Sequence, residues 1–173
     1  MSPLRCARSI RRFWRSRSGV ASVELALYTP VLFALMFTAF EGGNYMLTQH
    51  RVTKAVREGA RYAARLPFSN YACPAPADGQ ITDAATTTRI KNLTRTGQLS
   101  GGKPRIRGWA DTNVSVTYSC SDDLDTGLYK TSATAPRVMV SALVPYPSIL
   151  GALGFATNDS VVRSQSQAAV VGI

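Results

Sequence analysis

The chain has 173 residues, about one domain's worth, with 20 Lys and Arg against 10 Asp and Glu and a formal net charge of +10. That balance invites a nucleic-acid partner, but Arg5, Arg8, Arg11, Arg12, Arg15 and Arg17 crowd into the first 18 residues, and the rest carries 14 bases against 10 acids. The single His50 excludes a His-rich metal site and leaves few routes to His-based acid–base catalysis, while 45% hydrophobic against 17% charged residues excludes a disordered basic protein.

After the basic tail, residues 20–40 form an apolar run with one charge, Glu24. As a helix these 21 residues extend about 31 Å, enough to cross a bilayer core. A helix so apolar on every face needs a larger soluble protein around it than the remaining chain supplies. A cleaved secretory signal begins in a similar way, with Gly42 or Gly43 as its candidate cut sites. This run is longer than a signal's apolar core and contains an acid, so a span kept in the mature protein fits better. Six arginines before the run and Arg51, Lys54, Arg57, Arg61 and Arg65 after it favour a cytoplasmic N-terminus only narrowly. The cysteines separate more sharply, with Cys6 in the tail and Cys73 and Cys120 beyond the span. A distal part outside the cytoplasm holds a pair able to form a disulfide and leaves the odd thiol in a reducing compartment. Two unpaired buried cysteines are the alternative.

An ionised carboxylate in hydrocarbon costs roughly 2.5–3.5 kcal/mol at mid-bilayer, so Glu24 either snorkels to the headgroups or has a partner. Its setting is a basic tail, Gly19, four residues, Glu24 and an uninterrupted apolar stretch. This order resembles a type IV prepilin signal, cut after the glycine by an inner-membrane prepilin peptidase. The resemblance implies cleavage between Gly19 and Val20, and a contact of Glu24 with the new N-terminal amine of a neighbouring subunit. Cleavage there removes Cys6 and all six tail arginines. Pro30, inside the span, removes one backbone hydrogen bond and is read either as a functional kink or as a tolerated membrane proline.

Glu41-Gly42-Gly43-Asn44 reads as a polar, flexible exit from the membrane, with helix again from Tyr45. Leu47, Val52, Ala55, Val56, Ala60, Ala63 and Ala64 fall near i, i+3, i+4 spacing, and the bases take other faces. Glu58 is placed to pair with Lys54 or Arg61. Pro67 ends the helix. The Gly19–Pro30 block, followed at the right distance by Ala55-Val-Arg-Glu-Gly59-Ala60-Arg61-Tyr-Ala-Ala64, resembles the TadE-like family, minor pseudopilins of tight-adherence (Tad) pilus systems. The likeness covers residues 19–65, roughly a quarter of the chain.

Residues 67–80, rich in proline, read as a loop holding Cys73. Thr82–Thr96 is a candidate helix, with Asp83 near its start, Ile90 and Leu93 inward and Gly97 as its stop. Gly97–Gly108 reads as a basic, glycine-rich connection, and its Gly101-Gly102-Lys103 lacks the spacing of a phosphate loop. Val114–Cys120 alternates as a half-buried strand, Arg137–Val144 is a mostly apolar strand, and Ser160–Val171 is a third with Val162, Ser164, Ser166, Ala168 and Val170 on one face. Ile149–Phe155 is an apolar patch too short to span, taken as core in preference to a subunit contact. The acidic run Asp122-Asp123-Leu-Asp125 is a solvated turn rather than a calcium loop.

The expected architecture is α+β and pilin-like, a long N-terminal transmembrane-plus-periplasmic helix packed against a small antiparallel β-sheet. Its parts are a leader over 1–19, a transmembrane helix over 20–40, its periplasmic continuation over 41–66, and a periplasmic domain over 67–173. No catalytic set, cofactor or metal is read from the sequence. The resemblance implies a bacterial inner-membrane protein working with a prepilin peptidase, another minor pseudopilin, the major pilin and the inner-membrane pilus platform, with the lipid bilayer and no nucleic acid as further surroundings. The competing class is a single-span envelope protein whose periplasmic domain binds a ligand and belongs to no pilus.

Overall fold

A computed structural model describes residues 19–121, 135–155 and 160–172. The arginine tail with Cys6 and the acidic run at 122–125 lie outside the described residues. The chain divides into two compact units, Met1–Gly42 and Gly43–Ile173.

Helix α1, Val20–Ala64, runs through both without a break. The flexible exit anticipated at 41–44 is therefore helical. Two glycines cost about 1 kcal/mol each relative to alanine, but helix on both sides propagates through them cooperatively. Asn44 also fixes this turn to the domain, its Nδ2 donating to Tyr146 Oη at 3.0 Å and to the Pro147 carbonyl at 3.1 Å.

Within the second unit α1 buries Thr48, Val52, Ala55, Val56, Gly59, Ala60, Ala63 and Ala64. Leu47, read as inward, is 59% exposed, because the buried stripe repeats every 3.6 residues from Thr48 and Leu47 stands about 100° off it. The last turn tightens, with Leu66 N–H donating to the Ala63 carbonyl, and Pro67 follows. Carbonyls left over at a helix end need partners from elsewhere. Tyr71 Oη donates to the Ala63 carbonyl at 2.6 Å, and Val171 N–H to the Ala64 carbonyl at 2.8 Å. Burial, and after it the nearby Tyr62, raises the pKa of the Tyr71 hydroxyl.

Helix α2, Ala84–Thr96, begins at Asp83, whose carboxylate accepts from the Ala85 and Thr86 N–H groups and from the Thr86 hydroxyl. These bonds, led by the hydroxyl's, hold the Asp83 carboxyl below its ordinary pKa. It ends at Gly97, whose φ of +82° is the left-handed cap that glycine adopts without strain. Thr86, Ile90 and Thr94 are its buried stripe, at i, i+4, i+8. Leu93, expected inward, is only half-buried. Thr94 takes the core position because its hydroxyl can return its bond to the Ile90 carbonyl at 2.8 Å.

Three strands complete the domain: β1 (Val114–Ser121), β2 (Ala135–Pro145) and β3 (Val161–Ala169), antiparallel in the order β1-β2-β3. The register sets Tyr118 opposite Val138 and Val138 opposite Ala168, then Val116 opposite Val140 and Val140 opposite Ser166. One face thus presents Val114, Val116, Tyr118, Val138, Val140, Ala142, Val144 and Val162, which form one core cluster with Val52, Val56 and Ala60 of α1 and Ile90 of α2. Burial follows the period of two that one covered face demands, over ten residues from Pro136 to Pro145 in β2 and along the whole of β3.

Cys73 and Cys120 are joined as a disulfide, with a Cα–Cα distance of 6.0 Å. The bridge ties the 67–80 loop to β1, beside the Tyr118 N–H bond to the Gly79 carbonyl and the Tyr118 Oη bond to the Ala72 carbonyl. Glu58 pairs with neither Lys54 nor Arg61 in an ion pair. Its carboxylate meets Arg105 at 2.6 Å, because the 97–108 connection folds back onto α1 and brings a base from 47 residues away. Trp109, 1% exposed, fills the core behind that connection, with Arg95 donating to its carbonyl. Arg95 Nε is also 2.6 Å from Asp111 Oδ1, an ion pair by distance but not aligned as an N–H···O bond.

The patch at 149–155 is not core. Helix α3, Ile149–Ala152, buries none of its residues, and Leu153 and Phe155 are 58% and 63% exposed. A single four-residue turn, capped by the Ser148 hydroxyl, leaves its apolar side chains facing out.

Candidate functional site

The residues singled out by the sequence fall on two stretches of α1. The first begins at Gly19, immediately before the first helical residue Val20. Glu24, one turn on, shares Val20's face because residues four apart are neighbours on a helix. Glu24 is exposed and is the one charged side chain between Val20 and Phe40. Around it Val23, Leu25, Leu27, Tyr28, Leu32, Phe33 and Leu35 are all more than half exposed, so this stretch is apolar all round and uncovered by the described residues. Two of its polar side chains are satisfied within the helix: the Thr29 and Thr38 hydroxyls donate to the Leu25 and Ala34 carbonyls. A helix in hydrocarbon requires that. Among the described residues this is the helix long and apolar enough to cross a membrane. Pro30 lies within it, and the helix continues past it to Ala64. A proline there leaves the carbonyl four residues earlier, at Ala26, without its intrahelical donor.

The second stretch divides by burial. Gly59 sits where α1 meets both α2 and the sheet: a Cβ there would stand 2.1 Å from Thr94 Oγ1 and 3.7 Å from Val140 Cγ1. Only a residue without a side chain fits this approach. Ala60, 1% exposed, is part of the same packed face. Arg61 points the other way, exposed in the last turn of α1, where a cation is favoured by the helix dipole. With Gln49, His50, Thr53, Lys54, Arg57 and Glu58 it lines a shallow open groove on the outer face of the helix.

The disulfide cysteines are brought together; Gly19 and Glu24 belong to the first compact unit, and Gly59, Ala60 and Arg61 to the second. Sequence reading missed the Asn44–Tyr146 contact, the Glu58–Arg105 pair and the outward patch at 149–155. A charge-free run from Val138 to Asn158 was the available signal for the last of these.

The fold defines a class: among the described residues, one apolar helix able to cross a membrane, with a small pilin-like α+β domain built on the C-terminal part of the same helix. Residues 19–61 match the family of TadE-like proteins. The matched segment takes in Gly19, Glu24, Pro30 and Gly59 and ends on Arg61. No curated protein matches the chain, and no solved structure does.

Proposed function

We propose that this chain is a minor pseudopilin that helps assemble or prime a Tad-type pilus, with no catalytic activity of its own. In this reading a prepilin peptidase cuts between Gly19 and Val20, the span holds the product in the bacterial inner membrane, and the C-terminal domain stands in the periplasm. The supporting observation is that the TadE-like segment contains both the Gly19–Glu24 block and the Gly59–Arg61 block on one unbroken helix.

Cleavage would create an ammonium at Val20, the first residue of the helix, with Glu24 about 6 Å further along the axis. Each charge alone is costly in lipid. Two copies staggered by about four residues bring the amine of one against the carboxylate of the other, and the pair offsets both costs. The disulfide-stapled domain would then carry the surfaces for another minor pseudopilin, the major pilin and the inner-membrane platform. A bend at Pro30, where Ala26 lacks its bond, would let the helix pack among others or be drawn out of the bilayer.

The test is Glu24→Ala and Glu24→Gln in the host. Both variants should remain membrane-inserted and be cut normally, and both should abolish piliation. Normal pili on either would refute the assembly role given to Glu24.

A further inference from the structure

The segment Tyr146–Phe155 is an odd surface for a water-facing domain. Ile149, Leu153 and Phe155 are 42%, 58% and 63% exposed, and no charged residue occurs between Arg137 and Asp159. Its shape is fixed rather than loose. Ser148 Oγ caps α3, the Phe155 N–H donates to the Leu150 carbonyl, and Gly154 takes a φ of +94° that turns the chain. The apolar side chains are held outward by that geometry.

Its place along α1 is what identifies the occupant. Asn44 donates to Tyr146 Oη and to the Pro147 carbonyl, and the Tyr45 and Tyr146 rings meet edge to face at 5.2 Å. Asn44 is only four residues, about 6 Å of helix, past Phe40, where the apolar span ends. The patch is therefore pinned to the turn at which the chain leaves the bilayer and enters the domain. Met46 and Leu47, on that same stretch of helix, are 67% and 59% exposed. The bases of α1 begin further on, at Arg51. Aromatic rings at the boundary with uncharged apolar side chains beside them are what the headgroup–acyl region of a bilayer selects.

We infer that Ile149, Leu153 and Phe155 form a second membrane contact, dipping into the interface of the same bilayer that α1 crosses. The contact fixes the domain's height and tilt on the membrane, which a single span leaves free to swivel. It rests on α1 being a membrane span and is independent of any role in a pilus.

The experiment uses the full chain in liposomes whose acyl chains carry a photoactivated carbene precursor, followed by tryptic mapping. The span peptide, residues 18–51, is the internal control; the patch lies in peptide 138–163. Label is expected in both, and within the second peptide at Ile149–Phe155. The variant L153E/F155E changes two exposed side chains and should lose the label from 138–163 while keeping it in 18–51. A labelled span with an unlabelled patch overturns the inference and leaves the span intact. A span without label overturns the membrane reading itself, and this contact with it. Label that persists in L153E/F155E, or cross-linking of the patch to a second copy in place of lipid, also overturns it, the latter by making the patch a subunit contact.

Discussion

Gly59 offers a sharp test of how α1 is built into the domain. Replacing it with alanine has two opposed effects. Alanine is about 1 kcal/mol better than glycine in a helix interior, which favours the folded state. The added methyl, however, would lie 2.1 Å from Thr94 Oγ1, far inside contact distance. Thr94 is fully buried and its hydroxyl is committed to the Ile90 carbonyl at 2.8 Å. Turning the side chain gives up that bond or brings its own methyl into the same space. Overpacking of this kind costs about 1–3 kcal/mol, and so close a clash belongs at the upper end. The net expectation for Gly59→Ala is a loss of about 1–2 kcal/mol, or a melting point lower by roughly 3–8 °C. The partner variant supplies the logic. Thr94→Ala removes Oγ1, leaving Thr94 Cβ at 3.3 Å and Val140 Cγ1 at 3.7 Å, which small shifts accommodate. In that background Gly59→Ala should be neutral or stabilising by up to about 1 kcal/mol. In a Thr94→Val background, where a methyl replaces the hydroxyl, the penalty should persist. Thermal and urea melts of the four variants of the cycle give a coupling of about 2 kcal/mol. A Gly59→Ala protein that melts higher than the parent, or an equal penalty with and without Thr94 Oγ1, would refute the packing account.

Other outcomes follow from the same structure. Cys73→Ser/Cys120→Ser should lose about 2–4 kcal/mol of stability, since the bridge closes a long loop, and thiol labelling of the native protein should find both cysteines blocked until reduction. Asp83→Ala should lower the melting point more than Asp83→Asn, which keeps an accepting oxygen for the Ala85 and Thr86 N–H groups. The lowered pKa of Asp83 means that its contribution is present above the ordinary carboxylate pKa and is lost as pH falls through the folded value, so the Ala variant and the parent should converge in acid. For Tyr71 the sign reverses. Its raised pKa gives stability that is whole below the ordinary tyrosine range near pH 10 and lost as pH climbs beyond it, and in Tyr71→Phe that alkaline loss should shrink.

The legible parts of the fold were those fixed by short-range chemistry. Asp83 and Gly97 mark α2 because an N-cap acceptor and a left-handed C-cap are local requirements. The inward face of β3, Val162 to Val170 by twos, is legible because one-sided burial imposes a period of two. Leu47 was misplaced for want of phase: its own i+4 neighbour is the exposed Arg51, whereas Thr48 leads to the buried Val52. Glycines 42 and 43 looked like a break because propensity is local, while the bond that holds their turn comes from Tyr146, about a hundred residues away. Glu58 found Arg105 for a similar reason, since the nearest base in sequence was not the nearest in space. The 149–155 patch has the composition of core, and composition alone does not say which way a four-residue helix faces. Of the candidate site, Gly59 was legible as a motif but not as a contact, because its meaning lies in Thr94 on another helix.

The proposed function turns on whether Gly19 is a cleavage site. The direct measurement is the intact mass and N-terminal sequence of the full-length gene product extracted from a host that carries the prepilin peptidase. The predicted result is a chain beginning at Val20, without Cys6 or the six tail arginines. A chain that keeps its leader while a pilin in the same cells is processed would contradict it.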